Sequence, residues 1–248
     1  MEYTVTTMKD RPDLADEINR LYKEAWPKFV SGEKVMNAYW GFMSENFPDH
    51  HLLLLDGDEI LAVVNSAAFH LGDEPYEVSS DGLYWGLKKI SHDICNNRKP
   101  DNLMALQVIV NPRYMGKGIS YYCIKEMKKL ASEMGYSNVF IPLRPSKKYL
   151  YPLMPLNEYI NIKDEYGIPY DPWLRVNVKL GGEIMKPCRG IMIKDTIEQW
   201  EKWTEMKFPF DGKYIVPFAM SPVDVELSKN QVTYIQENVW IRHRIKNS

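Results

Sequence analysis

The residues best suited to chemistry lie between Val110 and Ser120, where Asn111, Pro112, Arg113, Tyr114, Met115, Gly116, Lys117, Gly118 and Ile119 follow in order. Two glycines one residue apart allow unusual dihedrals and a close approach of backbone to ligand. The N–H groups from Met115 to Ser120 can then converge on an anion such as a diphosphate, at the positive end of a helix that begins there. Arg113 and Lys117 add charge, and the Ser120 hydroxyl adds a donor. Two other phosphate loops fit worse. A P-loop needs Ser or Thr after the lysine, where Gly118 stands, and a glycine where Asn111 stands. A dinucleotide fingerprint needs a third glycine at the position of Tyr121. The plain alternative is a strand-to-helix turn that needs glycine for its geometry alone.

Other candidate groups are weaker. Cys95, Cys123 and Cys188 are odd in number and far apart, which reads as three reduced thiols. His50 and His51 have no Cys or His at ligand spacing, and Asp49 and Asp56 read as turn residues, so no metal is expected. His70 and His92 are isolated, and His243 reads as part of a solvated basic end with Arg242, Arg244 and Lys246. Trp200 and Trp203 read as packing residues. Glu74, Glu77 and Asp81 form an acidic stretch that reads as a solvated loop or as the entrance for a cationic amine.

The elements that must position the glycine turn follow from periodicity. An apolar run over 103–110 predicts a buried strand leading into it. Ile119, Cys123, Met127, Leu130 and Met134 form one helical stripe leading out, with Gly135 placed as a C-terminal cap. Helices are expected over 12–29, ended or kinked by Pro27, and over 35–46, 81–97 and 172–180. Asp56 and Gly57 between apolar runs predict a hairpin. Short strands are expected over 138–143 and 183–193. Thr196 and Gln199 match a capping box, and strands over 214–227 and 232–244 follow. Residues 146–171 are long for a connection inside a domain, and are expected to be a lid or binding loop over an acceptor pocket, a longer acyl chain or a partner. The pattern is α/β with parallel and antiparallel pairing mixed.

A length of 248 residues, 45% of them hydrophobic and 26% charged, is ordinary for a soluble domain. The net charge of −2 gives no global case for nucleic acid or an anionic membrane. The N-terminus lacks a basic region and apolar core, and no apolar run approaches the ~20 residues of a membrane span. A cytoplasmic protein, with no nucleic-acid and no membrane partner, is expected.

Arg113 with Gly116 and Gly118 resembles the pyrophosphate loop of the GNAT superfamily, the acetyl-CoA-dependent N-acyltransferases. The run Leu174 to Gly182 resembles the late GNAT helix that ends in Leu-Gly. Further residues resemble a bacterial and archaeal subfamily: Glu24 to Pro27, Ala105 to Gln107, Asn111 to Arg113, Arg144 and Pro145, Tyr151 and Pro152, Asp171 to Arg175, and Glu237 to His243. These span nearly the whole chain. The resemblance implies a mixed central sheet flanked by helices, with an insertion (146–171) after the fifth strand. It implies a core over 1–194 and a C-terminal extension over 195–248 packed on the same domain.

It further implies that acetyl-CoA is the donor, with no metal. The cofactor would lie where two parallel strands splay, bound by Gln107, Val108, Ile109, Val110, Arg113, Met115, Gly116, Lys117, Gly118, Ile119 and Ser120. A small-molecule or peptide amine would attack the thioester directly. Many GNAT enzymes use a carboxylate base and a tyrosine acid four residues before the Leu-Gly glycine. Here that position is Asn177, and the strand 103–110 carries Gln107 but no carboxylate. Asn177 could still bond the sulfur or a water. Tyr149, Tyr151, Tyr159, Tyr166 and Tyr170 in the insertion are the alternatives as acid, and Tyr151 is favoured because Pro152 stiffens its position. A larger acyl-CoA or a carrier-bound acyl group is the alternative donor. A non-catalytic CoA-binding regulatory protein is the alternative class. The late strands could pair across a homodimer.

Overall fold

The computed structural model describes residues 2–72 and 77–246. Glu74 of the acidic stretch lies outside them; Glu77 and Asp81 are exposed. The chain opens with a strand that the sequence pattern did not reveal, β1 (Thr4–Thr7), followed by α1 (Ala15–Ala25). Pro27 divides the long helix expected over 12–29: α1 ends, and α2 (Lys28–Ser31) restarts after it. Then come α3 (Lys34–Asn46), β2 (His51–Asp56), β3 (Glu59–Phe69) and α4 (Gly82–Cys95). Gly57, at φ 58, makes the tight turn between β2 and β3.

The central unit is β4 (Asn102–Val110), the glycine turn, α5 (Ile119–Glu133) and β5 (Asn138–Leu143). The insertion carries a single 3-10 turn (Lys148–Leu150) and one short α-helix, α6 (Leu156–Tyr159). Then α7 (Pro172–Lys179) begins where the Asp171 carboxylate accepts from the N–H groups of Trp173 and Leu174, and Pro172 fills the first turn. The chain finishes with β6 (Glu183–Asp195), α8 (Ile197–Thr204), β7 (Gly212–Tyr214), β8 (Val223–Glu226) and β9 (Gln231–Arg244). The strand expected over 214–227 is broken. Pro217 cannot donate to a ladder, and Phe218 takes φ 65, so only the ends of that span pair.

The sheet runs β1-β2-β3-β4-β5-β9-β8-β7, and β6 lies along the other edge of β9. All its pairs are antiparallel except β4 with β5. The C-terminal segment from 195 therefore supplies a strand inside the main sheet. β9 bonds β5 and β8 on one edge and β6 on the other, so pairing of 232–244 across a dimer has to compete with these bonds.

Alternation along the strands separates two faces. Leu53, Leu55, Val63 and Ile109 pack with Ile18 and Leu21 of α1. Leu52, Leu54, Ala62 and Val64 belong to the larger cluster with Ile119, Cys123 and Met127 of α5. Trp200 is buried and stacks on Phe29 at 5.3 Å, and Trp203 lies against Gly32, so both tryptophans pack. His243 departs from the expected solvated end. It is 0% exposed, because β9 runs through the centre of the sheet there and carries the ring under α7.

Candidate acyl-donor and acceptor site

β4 and β5 pair only through Asn102 with Asn138, Leu103 with Val139 and Met104 with Phe140. Beyond these pairs each strand continues without the other. β4 stays bonded to β3 as far as Val110, and β5 stays bonded to β9 as far as Leu143. A bulge contributes to the divergence: Asn65 faces Gln107 and Ser66 faces Ala105, so Leu106 is an extra residue in β4. The facing edges over 105–110 and 141–143 present backbone groups to a wedge that opens toward the glycine turn.

At the end of β4 the buried Asn111 sets the turn. Its amide donates to the Ile60 carbonyl at 2.7 Å, and its oxygen accepts from the Arg113 N–H at 3.1 Å. Gly116 and Gly118 both take φ 78, and a Cβ on either would meet no protein atom within 4 Å. Glycine is required there by backbone conformation and leaves room on the outer side. Lys117 N–H bonds the Tyr114 carbonyl at 3.2 Å, whereas among the described residues Gly116, Gly118, Ile119 and Ser120 find no acceptor for theirs. Four unsatisfied donors at the N-terminus of a 15-residue helix suit a diphosphate.

The cations around this turn are exposed. Arg113 is 69% exposed and lies 3.4 Å from Glu59, which also accepts from the Tyr114 hydroxyl at 2.6 Å. Lys117 sits over the Tyr114 ring at 4.6 Å. Glu59 thus holds Arg113 and Tyr114 from the tip of the β2–β3 hairpin. Met115 is exposed, Ile119 is buried beneath the turn, and Ser120 is half-buried.

On β4 itself, Val108 and Val110 are half-buried against the α5-side cluster, while Ile109 is buried on the α1 side and offers only its backbone. Gln107 lies 3.4 Å from the amide of Asn65, which also bonds the Tyr22 hydroxyl at 2.9 Å and His51 Nδ1 at 3.0 Å. Burial pushes the His51 ring below the ordinary histidine range, so at neutral pH it is uncharged.

The two expected catalytic residues differ in setting. Asn177 is 0% exposed; its amide donates to the Trp173 carbonyl at 2.9 Å and its oxygen faces His243 Nε2 at 2.9 Å. Both ends of its side chain are thereby engaged inside the protein. Tyr151 is 36% exposed, with ring centroids 5.7 Å from Tyr159 and 5.9 Å from Tyr170. Tyr170 raises its hydroxyl above the ordinary tyrosine value, so it carries its proton at neutral pH. Tyr159 is buried and donates to Asp171 at 2.9 Å. Tyr149 rests on Phe218 at 5.5 Å, and Tyr166 is exposed. Cys123 is buried and its thiol is pushed up to about 12, which removes it as a nucleophile.

Trp26, Arg144 and Gln236 also meet at this cleft, on the α1 side. The first two stand in sequence motifs that say nothing of where they meet. Arg144 follows the last residue of β5, donates to Gln236 at 2.9 Å and lies 5.8 Å from the centroid of the Trp26 ring. Among the described residues no group of His, Cys, Asp and Glu could hold a metal, and no helix is long and apolar enough to cross a membrane.

No family model matches the chain. An arginine N-acetyltransferase from Aspergillus versicolor is 27% identical to it over 275 residues, spanning 98% of this chain and 94% of that protein. Among solved structures, the loading GNATL domain of CurA from Lyngbya majuscula superposes with a TM-score of 0.61 at 18% identity, covering 99% of this chain and 98% of that one. A GNAT-like decarboxylase, GphF, in complex with isobutyryl-CoA superposes with a TM-score of 0.54 at 12% identity, covering 99% and 100%. At such identities the superpositions establish the fold.

Proposed function

We propose that this GNAT-fold acyltransferase moves an acetyl group from acetyl-CoA to the primary amine of a small acceptor by direct attack. The observation that carries the proposal is the early end of β4–β5 pairing beside a turn with four unsatisfied N–H donors. The diphosphate lies on Gly116 to Ser120. The pantetheine arm runs into the wedge, bonding backbone groups near Gln107, Val108 and Val110 as an added strand would. This places the thioester where the two strands have parted, with α5 on one side and the Trp26–Arg144 face on the other.

The amine lone pair attacks the thioester carbonyl carbon, and the C–S bond breaks. An ammonium of pKa ~10 must first lose a proton, and the leaving thiolate, of thiol pKa ~8.5, gains one. Tyr151 is the proposed donor to the thiolate, and solvent water takes the ammonium proton, since the splayed part of β4 carries no carboxylate. A homodimer would use an outer edge of the sheet such as β1 or β7.

The engagement of both ends of Asn177 favours a second reading, a CoA-binding protein without catalysis. Thiol release from acetyl-CoA with a broad amine panel separates the two. Release with at least one amine is expected, and Tyr151→Phe should lower kcat with little change in KM. Tight acetyl-CoA binding with no release from any amine would establish the second reading, and an unaltered kcat would retire Tyr151.

A further inference from the structure

The α1 face of the wedge holds a cation, Arg144, that among the described residues makes no ion pair with a carboxylate. The Arg144 Nε donates to Gln236 Oε1 at 2.9 Å, and one terminal nitrogen donates to the Phe218 carbonyl at 3.1 Å. Gln236 is itself fixed, donating to Asn238 at 3.1 Å, and Asn238 donates to the Pro142 carbonyl at 2.8 Å. The guanidinium is therefore held in one orientation by a chain of neutral groups. Among the described residues no Asp or Glu lies within ion-pair distance of it, and its second terminal nitrogen has no acceptor. Asp171 contributes only at longer range, its oxygens being taken by Ser146, Lys147, Tyr159, Trp173 and Leu174. Burial accordingly pushes the Arg144 guanidinium below its ordinary range, only partly offset by Tyr234, Asp171 and Tyr149.

A second donor lies beside it. The Trp26 ring sits under the guanidinium, and its Nε1–H is buried without a hydrogen-bond partner among the described residues. Arg144 directly follows the splayed end of β5, and Trp26 packs on the α1-side cluster to which Ile109 of β4 belongs. A half-buried cation with no carboxylate partner and an orphaned buried N–H are both unfavourable in a folded protein. Together they describe half of an anion site: a planar fork with a free arm suits a carboxylate.

Resting on the acyl-transfer reading above, we infer that the acceptor amine carries a carboxylate, held by Arg144 with Trp26, so that amino acids rather than simple amines are the substrates. The diphosphate turn lies at the other end of the donor, so the two anions do not compete. Gln236 and Asn238 are positioning residues, since they touch Arg144 or each other and not the acceptor.

The test uses acetyl-CoA as donor with paired acceptors: L-arginine and agmatine, L-lysine and cadaverine, L-phenylalanine and phenethylamine. In at least one pair the amino acid should have a kcat/KM about 30- to 100-fold above its decarboxylated partner, as expected for a charge-assisted contact. Arg144→Gln should reduce that ratio below about threefold, and Arg144→Lys should recover part of it. Trp26→Phe keeps the ring and removes the N–H, and should raise the amino-acid KM by about three- to tenfold. Melting temperature and acetyl-CoA affinity report whether each variant is folded. Turnover of both members of every pair at equal kcat/KM overturns the inference and leaves acyl transfer standing. So does discrimination that survives in folded Arg144→Gln. A preference for succinyl-CoA over acetyl-CoA that Arg144→Gln abolishes would put the carboxylate on the donor, also overturning it. No thiol release with any acceptor overturns the acyl-transfer reading and this inference with it.

Discussion

Replacing Gly116 or Gly118 by alanine adds one methyl group to the turn. Both residues take φ 78, and a Cβ there meets no protein atom within 4 Å. The change to the folded protein is therefore the left-handed strain of a non-glycine residue, about 1–2 kcal/mol. For a chain of this size that lowers the melting temperature by about 2–8 °C. Gly135 is an internal control. It caps the other end of the same helix at φ 74, again with nothing within 4 Å of a Cβ. Gly135→Ala should show the same thermal loss. Acetyl-CoA affinity should separate the three. A methyl at 116 or 118 enters the space assigned to the diphosphate, and should weaken binding at least about tenfold, or 1.4 kcal/mol. Gly116→Asp should weaken it further, because the added carboxylate repels the diphosphate. Isothermal titration of the three alanine variants at one ionic strength makes the comparison. Equal affinity loss in Gly135→Ala, or unchanged affinity in Gly116→Ala and Gly118→Ala, would show that the diphosphate does not sit on this turn.

Glu59→Gln removes the anion that holds Arg113 and Tyr114; because this pair is exposed, acetyl-CoA should bind tighter by no more than about fivefold, and weaker binding would show that Glu59 orders the loop instead. His50 and His243 are buried, and burial lowers each from 6.5 to about 4. The unfolded chain takes these protons first, so their contribution is complete above pH 6.5 and is lost as pH falls toward 4, by about 3 kcal/mol each. Urea denaturation should show this fall, and His50→Phe should make it shallower; an equal slope in the variant would contradict the assignment. Cys95 is exposed whereas Cys123 and Cys188 are buried with thiols pushed up to about 12, so brief alkylation of the native protein should modify Cys95 alone. Cys123→Ser should keep acyl transfer, and an acyl adduct on Cys123 detected by mass spectrometry would contradict direct attack.

Much of this arrangement is readable from local signals. Ile119, Cys123, Met127 and Leu130, the glycines at 116, 118 and 135, and the turn at Gly57 each act within a few residues and lie where periodicity and φ demand. Met134, expected in the same stripe, is instead exposed at the helix end, where the last turn faces solvent. The Asp171 cap works the same way. What escaped depends on residues far apart in the chain. β1 is short and half-polar, and exists because β2 pairs with it. The bulge at Leu106 is visible only in the register with Asn65 and Ser66. His243 looks solvated among Arg242, Arg244 and Lys246, yet β9 passes between β5 and β6 and buries it against Asn177. Arg144, Trp26 and Gln236 come from three distant segments. Their residue types alone do not say that a guanidinium will lack a carboxylate partner.

Acyl-CoA should enter between β4 and β5 with its diphosphate on the turn before α5. A crystal structure of the protein with CoA bound tests this most directly. Diphosphate oxygens are expected within hydrogen-bond distance of the N–H groups of Gly116, Gly118, Ile119 and Ser120, with the sulfur between residues 106–110 and 141–143. A diphosphate seated elsewhere, for example in the basic hollow lined by Lys128, Lys129, Arg244 and Lys246, would contradict it.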